Sequence, residues 1–308
     1  MLPIFLKTLP FFALIGLGWF AGRIRFFPEI ATEYLTRFVF YFALSAMIFR
    51  FAASLDIARI FHAPSVLAYL TGTSAVYLLA TALAMLRKTG VEIAAIEAQC
   101  AAIGNVGFLG IPMLALLMGP EAVGPVLLVL ATDLIVFGSL IVIIISARRD
   151  GRVSLGVLGS IAGGLVRNPM VMSITAGLLW SASGLTLPAP AAETLTLLGA
   201  AATPGALFAI GASLASKSAD RREIALWLAF AKLVLHPAAV AFAAWVLFDV
   251  PAYVAAVMIA AAAMPTAGNV YILAQHYRIA PVRVSSTILI STAAAILTLT
   301  GVIAYVTP

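Results

Sequence analysis

Apolar segments long enough to cross a membrane follow one another along almost the whole chain, and they decide the class of fold. Of the 308 residues, 63% are hydrophobic and only 10% are charged, and the mean hydropathy is +1.12. One helical crossing needs roughly 20 consecutive apolar residues. The sequence therefore predicts an all-α polytopic membrane protein of about ten transmembrane helices with no soluble domain. The predicted segments are residues 3–22, 32–54, 63–86, 93–118, 123–146, 165–185, 194–216, 224–248, 252–276 and 284–306.

Charged residues are divided unevenly between the connections. Lys and Arg accumulate on the cytoplasmic side of membrane proteins, so a basic connection is placed in the cytoplasm. The odd-numbered connections carry Arg23 and Arg25, Arg87 and Lys88, Arg148, Arg149 and Arg152, Lys217, Arg221 and Arg222, and Arg278 and Arg283. The even-numbered ones carry Arg59 and the acidic residues Asp56, Glu121, Glu193 and Asp249. We therefore predict a protein of the cell (inner) membrane with both termini on the extracytoplasmic side. The net charge of +6 is explained by topology, and no nucleic-acid partner is expected.

The segment "CAAIGNVGFLGIPML", Cys100 to Leu114, places helix-breaking residues inside an apolar run. Gly104, Gly107 and Gly110 allow unusual backbone dihedrals, and Pro112 lacks an N–H group. The segment "MPTAGNVY" repeats the combination with Pro265, Gly268 and Asn269. Unwound backbone in a bilayer survives only inside protein or beside a water-filled cavity. The pattern favours two broken helices, although close helix packing is the alternative explanation for glycine in a membrane span.

Two pairs of short matches indicate an internal repeat. "AIGNVGF" around Asn105 is echoed by "TAGNVYI" around Asn269, and "MIFRFAASL" from Met47 is echoed by "ALFAIGASL" from Ala206. The two copies are separated by an odd number of predicted spans, so they lie in opposite orientations in the bilayer. We therefore predict two inverted five-helix repeats, residues 1–150 and 151–308, whose fourth and ninth spans correspond.

Paired broken helices in inverted repeats point to a substrate site in a secondary transporter. The exposed N-terminus of a half-helix presents unpaired N–H groups and a partial positive charge, which suits an anion. Asn105 and Asn269 add side-chain donors and acceptors beside these ends.

The chain resembles the auxin efflux carrier family over essentially its full length, as a bacterial member related to plant PIN-type carriers and bacterial malonate carriers. The matching stretches are "GNVGFLGIP", "RNPMVMSITAGLL", "ATPGALFAIGASLA", "KLVLHP" and "AAMPTAGNVYILAQHY". The resemblance implies a scaffold part, a mobile transport part, and broken fourth and ninth helices that cross at the substrate site.

The resemblance also implies roles for individual residues. Asn105 and Asn269 match the asparagines that contact a substrate carboxylate, and Pro112 and Pro265 match the helix breakers. Ser45 departs from the pattern, because the family often has proline there. The predicted substrate-binding set is Asn105, Asn269, Gly104, Gly268, Ser45 and Tyr271.

Ionisable residues within the spans are the candidates for ion coupling. A charge at the bilayer centre costs at least about 2.5 kcal/mol, so each needs a cavity, a partner or a neutral form. Asp133 is interpreted either as a proton or sodium site or as a structural bond to a neighbouring helix. Lys232 is interpreted as structural, paired with Asp133 or Glu97. Glu97 and His236 complete the set of candidates.

Together these features predict a secondary active transporter of a small organic anion, a mono- or dicarboxylate of the auxin or malonate kind, that works by alternating access. Coupling to H+ or Na+ is an open alternative, as are a sodium-coupled symporter of a bulkier organic acid and an anion channel. An enzyme is not expected, because no HExxH motif, acidic metal cluster or Ser/His pair is found. The single cysteine, Cys100, leaves no internal disulfide, and no cofactor or metal is expected. A homodimer through the scaffold helices is a candidate assembly.

Overall fold

The computed structural model describes residues 2–54, 62–150, 155–215 and 222–306, and it is helical over nearly all of these ranges. Its helices are α1 Leu2–Arg23, α2 Glu29–Ala53, α3 Ala63–Leu86, α4 Val91–Ala102, α5 Val106–Met118, α6 Pro120–Arg148, α7 Leu155–Arg167, α8 Pro169–Ala182, α9 Ala189–Ala215, α10 Arg222–Leu247, α11 Ala252–Ala262, α12 Gly268–Tyr277 and α13 Pro281–Val306. The connecting residues Asp56, Arg59, Arg152, Lys217 and Arg221, used above to predict topology, lie outside the described residues.

Seven of the described helices are long and apolar enough to cross a membrane by themselves: α1, α2, α3, α6, α9, α10 and α13. The helices α7 and α8 are long and apolar enough only when taken together, and they are bent by 68° relative to each other. The bend lies at Asn168 and Pro169, where the Asn168 side chain accepts a hydrogen bond from the N–H of Met170 at 2.9 Å and so caps α8. This confirms a multi-pass helical membrane protein.

The fourth and ninth predicted segments are not continuous helices. Residues 103–105 separate α4 from α5, and residues 263–267 separate α11 from α12. Each piece is therefore too short to cross a bilayer alone. Gly104 and Pro265 lie inside these interruptions, as the sequence predicted.

Gly107, Gly110 and Pro112, predicted to break the helix, lie just after the interruption rather than in it. They follow it, within the helical run Val106–Met118. The first part of that run is a π-helical turn, Val106–Gly110. Proline cannot donate an i→i−4 hydrogen bond, and a wider turn before it accommodates the missing donor. A π-helical turn, Ala231–Leu235, also precedes Pro237 in α10.

Small residues hold one group of helices, α1, α2, α8 and α9, in close contact. A Cβ atom added to Gly18 of α1 would lie 2.1 Å from the carbonyl oxygen of Phe208 in α9. A Cβ atom added to Gly211 of α9 would lie 1.9 Å from the carbonyl oxygen of Ile15. These glycines serve packing, because backbones approach this closely only where no side chain intervenes.

A second set of contacts joins α3 to α4 and α10, and α13 to α10 and α11. These contacts define a second group of helices, α3, α4, α10, α11 and α13. Both groups contain helices from the two halves of the chain. The interrupted segments lie among the helices of the second set.

We expect Gly18→Ala to destabilise the protein, because α1 and α9 must move apart to admit the added methyl group. A loss of about 1 to 3 kcal/mol is typical of such overpacking. The measurement is the fraction of protein that stays monodisperse in detergent after heating. Gly16→Ala is the matched control in the same helix, since a Cβ atom there would meet nothing within 4 Å. Equal losses in both variants would contradict this account of the α1–α9 contact.

Candidate functional site

The two interruptions meet and form hydrogen bonds with each other. Gly104 and Thr266 form an antiparallel bridge. The Asn105 N–H donates to the Pro265 carbonyl at 2.8 Å, and the Ala267 N–H donates to the Ile103 carbonyl at 3.1 Å. We call this contact between residues 103–105 and 265–267 the crossing. It supplies the partners that backbone groups require when the chain leaves a helix in an apolar interior.

Thr266 attaches the crossing to its surroundings. Its hydroxyl donates to the Cys100 carbonyl at 2.8 Å, which would otherwise lack a partner at the end of α4. Its N–H donates to the Ser291 hydroxyl of α13 at 3.1 Å. Thr266 and Ser291 were not among the predicted site residues, because a hydroxyl in a membrane segment has no distinctive pattern in sequence.

The crossing brings the beginnings of α5 and α12 together. Neither N-terminus is capped by a side chain. Asn105, immediately before α5, is 8% exposed, whereas Gly268 and Asn269, the first residues of α12, are exposed. Two helix ends with unpaired N–H groups and partial positive charge are therefore close to one another, with an asparagine at each.

The remaining predicted binding residues lie around this centre rather than in it. Ser45 is partly buried in α2, and its hydroxyl donates to the Phe40 carbonyl of the same helix at 3.0 Å. The ring of Phe40 stacks on that of Phe108 in α5, with 6.0 Å between centroids. Tyr271 is partly buried in α12, where its hydroxyl accepts a hydrogen bond from Gln275.

Lys232 lies next to the crossing. Its ammonium group donates to the carbonyl of Ala262, the last residue of α11, and lies 3.0 Å from Nδ1 of His236. A Cβ atom added to Gly104 would lie 3.2 Å from Nζ of Lys232. Lys232 and His236 are both fully buried. A cation at the C-terminal end of a helix is favoured by the helix dipole, so Lys232 stabilises the broken end of α11.

Asp133 lies in a π-helical turn of α6, and it is almost completely buried. Its Oδ1 accepts a hydrogen bond from the hydroxyl of Tyr69 in α3 at 2.8 Å. Its Oδ2 is buried without a hydrogen-bond partner. Asp133 and Lys232 also interact electrostatically. Tyr69 was missed in the sequence, because an aromatic residue in a span is ordinarily a packing residue.

Glu97 pairs with two arginines and not with Lys232. Its two carboxylate oxygens accept from Arg87, at the end of α3, and from Arg283, in α13. Glu97 is fully buried and Arg283 nearly so. The predicted alternative of a Lys232–Glu97 pair is therefore wrong, since the arginines of the neighbouring helices already occupy this carboxylate.

Two other features lie apart from the crossing. A cavity of about 510 Å³ is lined by residues of α2, α8 and the start of α6, among them Arg50 and Trp180, and by Ser54 and residues 185–187 of the connections. Within the described ranges, no three His, Cys, Asp or Glu side chains are grouped so as to hold a metal ion.

Interrupted helices that cross inside a multi-pass helical protein are typical of membrane transporters. Comparison with known proteins agrees with this class. A family model described as "Membrane transport protein" matches residues 3–303, so the chain belongs to that family. The resemblance to the auxin efflux carrier family is thereby confirmed, and the protein is a transporter and not an enzyme.

One curated relative comes from Rhizobium meliloti (strain 1021). It is described as "Putative malonate transporter" and is 30% identical over 301 residues, which cover 96% of this chain and 93% of the relative. The similarity therefore extends over the interruptions as well as the apolar helices.

We expect Thr266→Val to lower stability by about 1 kcal/mol, because it leaves the Cys100 carbonyl without its partner while nearly preserving shape. Thr266→Ser retains the hydroxyl and is the matched control. Thermal unfolding of both variants in the same detergent is the measurement. If Thr266→Ser unfolds as readily as Thr266→Val, the hydrogen bond is not what holds the crossing.

We expect Glu97→Gln to cost about 3 to 5 kcal/mol, because it leaves Arg283 buried without a counter-charge. The double variant Glu97→Gln/Arg283→Gln removes both charges and should recover part of that loss. Expression level and thermal stability in detergent are the measurements. A Glu97→Gln variant of normal stability that loses only ion coupling would instead assign Glu97 to the transported ion.

Proposed function

We propose that this protein is a secondary active transporter that carries a small organic anion, a mono- or dicarboxylate, by alternating access. The observation that carries the proposal is the pair of uncapped helix N-termini, α5 and α12, joined at the crossing. Both ends offer backbone N–H groups and partial positive charge to one anion.

Asn105 and Asn269 are assigned to orient the carboxylate. An asparagine side chain offers two N–H donors, which match the acceptor oxygens of a carboxylate. Gly268 leaves the start of α12 open, since a Cβ atom there would meet nothing within 4 Å. Gly104, Ser45 and Tyr271 complete the proposed surroundings of the substrate.

The substrate class is supported by the relative described as "Putative malonate transporter". Malonate is a dicarboxylate, and two positive helix ends suit two negative charges better than one. We therefore rank small dicarboxylates ahead of monocarboxylates.

The proposed mechanism uses the two groups of helices. In it, the chain forms two inverted five-helix repeats, residues 1–150 and 151–308, with both termini outside the cytoplasm. The closely packed helices α1, α2, α8 and α9 act as the scaffold, and the helices around the crossing move against them. The close backbone contacts at Gly18 and Gly211 favour a rigid scaffold.

The test is counterflow in proteoliposomes with labelled malonate, malate, lactate and indole acetate in turn. Removing a hydrogen bond to a charged ligand costs about 1.5 to 3 kcal/mol, so Asn105→Ala and Asn269→Ala should each weaken substrate affinity about 10- to 150-fold. Expression should remain normal in both variants.

Asn168→Ala is the matched control, because Asn168 also precedes a helix N-terminus but lies outside the crossing. It should retain substrate affinity. Normal affinity in the double variant Asn105→Ala/Asn269→Ala would overturn the site. Absence of counterflow for every anion, from folded protein, would overturn the substrate class.

A further inference from the structure

The cavity of about 510 Å³ lies where α2 and α8 end and α6 begins, and we call it the α2–α8 cavity. It opens at the surface, because Ser54, Pro120 and Thr186, which help to line it, are exposed. Neither the crossing nor any of the proposed substrate-binding residues contributes to the lining. The cavity is therefore separate from the proposed substrate site.

One wall of this cavity is fixed by a close contact between α2 and α8. A Cβ atom added to Gly177 of α8 would lie 2.6 Å from Cβ of Ala52 and 2.7 Å from the carbonyl oxygen of Phe49. Helices that approach this closely are held together by their backbones. The last turn of α2, which carries Arg50, and the turn of α8 that carries Trp180 therefore form a preformed wall.

The charge of the lining comes from Arg50. One guanidinium nitrogen of Arg50 donates to the Thr196 hydroxyl of α9 at 2.6 Å, and no carboxylate of the described residues forms an ion pair with it. A guanidinium group has five N–H donors, so others remain for a ligand. Among the described lining residues none is acidic, and Glu121, next to Pro120, is exposed and is not one of them.

Trp180 adds a second unpaired donor to this wall. Its indole N–H is buried and has no hydrogen-bond partner in the part of the chain that the structure describes. A buried donor without an acceptor costs about 1 to 3 kcal/mol. A ligand whose acceptor oxygens reach this N–H would remove that cost. Arg50 and Trp180 together therefore favour an oxyanion.

The rest of the lining decides the body of the ligand. It is mainly apolar and includes Phe51, Val123, Leu185 and Leu187. Cavities of roughly 300 to 1,000 Å³ hold drug-sized ligands. A small dicarboxylate would leave most of this volume empty, and its second charge would meet no cation of the described lining. The cavity thus suits a single oxyanion on an apolar body, such as an aromatic carboxylate.

The walls of the cavity come from both groups of helices. The helices α2 and α8 belong to the closely packed group, whereas α6 packs against α4 and α11 of the second group. A ligand that fills the cavity contacts both sides. A ligand that binds one arrangement of a protein more tightly than another shifts the population towards it. Occupancy should therefore stabilise this arrangement of the two groups.

We propose that the α2–α8 cavity is a second ligand site, which binds an oxyanion on an apolar body through Arg50 and holds the two groups of helices in this arrangement. The binding is independent of the proposed function. The effect on transport rests on the proposed function, in which the second group moves against the first.

Binding is tested on purified protein in nanodiscs of phosphatidylcholine, with phenylbutyrate as the probe. The chain has four tryptophans, and isotope-labelled indole N–H groups are followed by NMR, with the Trp180 signal identified by its loss in Trp180→Phe. We expect phenylbutyrate to move the Trp180 signal saturably. The neutral isostere phenylbutyramide should leave it in place.

The same spectra distinguish the cavity from the bilayer. Trp19 and Trp245 are exposed on the helical surface and report probe that dissolves in the lipid. Equal, unsaturable movement of these signals and that of Trp180 would show partitioning only and would overturn the site. An unmoved Trp180 signal, or an equal response to phenylbutyramide, would also overturn it.

The role of Arg50 is tested by substitution. Arg50→Gln removes a charged hydrogen bond and should weaken phenylbutyrate binding at least about tenfold. Arg37→Gln is the matched control, because Arg37 lies in the same helix, is exposed and pairs with Glu33 away from the cavity. Unchanged affinity in Arg50→Gln would overturn the proposal.

A second pair of variants serves if Arg50→Gln does not fold. Thr186 is exposed in the connection after α8, so its substitution does not disturb helix packing. Thr186→Glu places a carboxylate in the cavity and should weaken phenylbutyrate binding, whereas Thr186→Gln should not. Equal affinity in these two variants would contradict binding through charge.

The natural oxyanion has two possible sources, the bilayer and the aqueous phase. The Trp180 signal is therefore also recorded, without probe, in nanodiscs that contain phosphatidylglycerol. A movement that Arg50→Gln abolishes would support the site and assign its ligand to the lipid. A signal that responds to phenylbutyrate alone would support the site and assign its ligand to the aqueous phase.

The effect on transport is measured separately, as malonate counterflow in proteoliposomes. Phenylbutyrate should inhibit the wild type, and Arg50→Gln should keep counterflow but require at least about tenfold more probe for the same inhibition. Equal inhibition of the two proteins would overturn the effect on transport. If the Trp180 signal responds as expected but the wild type transports no anion, the proposed function fails and the second site stands.

Discussion

The structure depends on the requirement that every backbone N–H and C=O group in an apolar interior has a partner. Two helices are interrupted, so each exposes polar backbone in the middle of the protein. The interruptions satisfy one another through the bonds of Asn105 and Ala267 to the facing strand-like segment. At the broken ends of α4 and α11, the Thr266 hydroxyl donates to the Cys100 carbonyl, and the Lys232 ammonium group donates to the Ala262 carbonyl. The crossing is therefore a mutual arrangement, and neither interruption is stable without the other.

The same requirement explains which polar residues the interior contains. The donors needed at the C-terminal ends of α4 and α11 come from a hydroxyl and an ammonium group, whereas the N-terminal ends of α5 and α12 carry no side-chain cap. Side chains of the protein thus bond the C-terminal ends, whereas the N-terminal ends carry no side-chain cap. This asymmetry underlies the proposal of an anion substrate.

Burying Lys232 in α10 requires a negative charge from another helix. An ammonium group in this interior needs a counter-charge, and Asp133, which Tyr69 holds by a hydrogen bond, interacts with it electrostatically. Glu97 does not supply this charge, because its carboxylate is paired with Arg87 and Arg283. The buried charges therefore form two separate systems. The first holds α3, α4 and α13 together, and the second connects the crossing to α6.

Much of this protein follows from its sequence alone. The apolar segments, the two interruptions, Gly104 and Pro265 within them, and the family are readable there, because hydropathy and backbone-breaking residues act locally. Tertiary structure decided the rest. Gly107, Gly110 and Pro112 lie in α5, after the break that separates it from α4, and Glu97 pairs with arginines. Thr266, Tyr69 and Thr73 form hydrogen bonds with residues of other helices. A hydrogen bond between distant segments depends on which helix faces pack against each other, and no local pattern of residues contains that information.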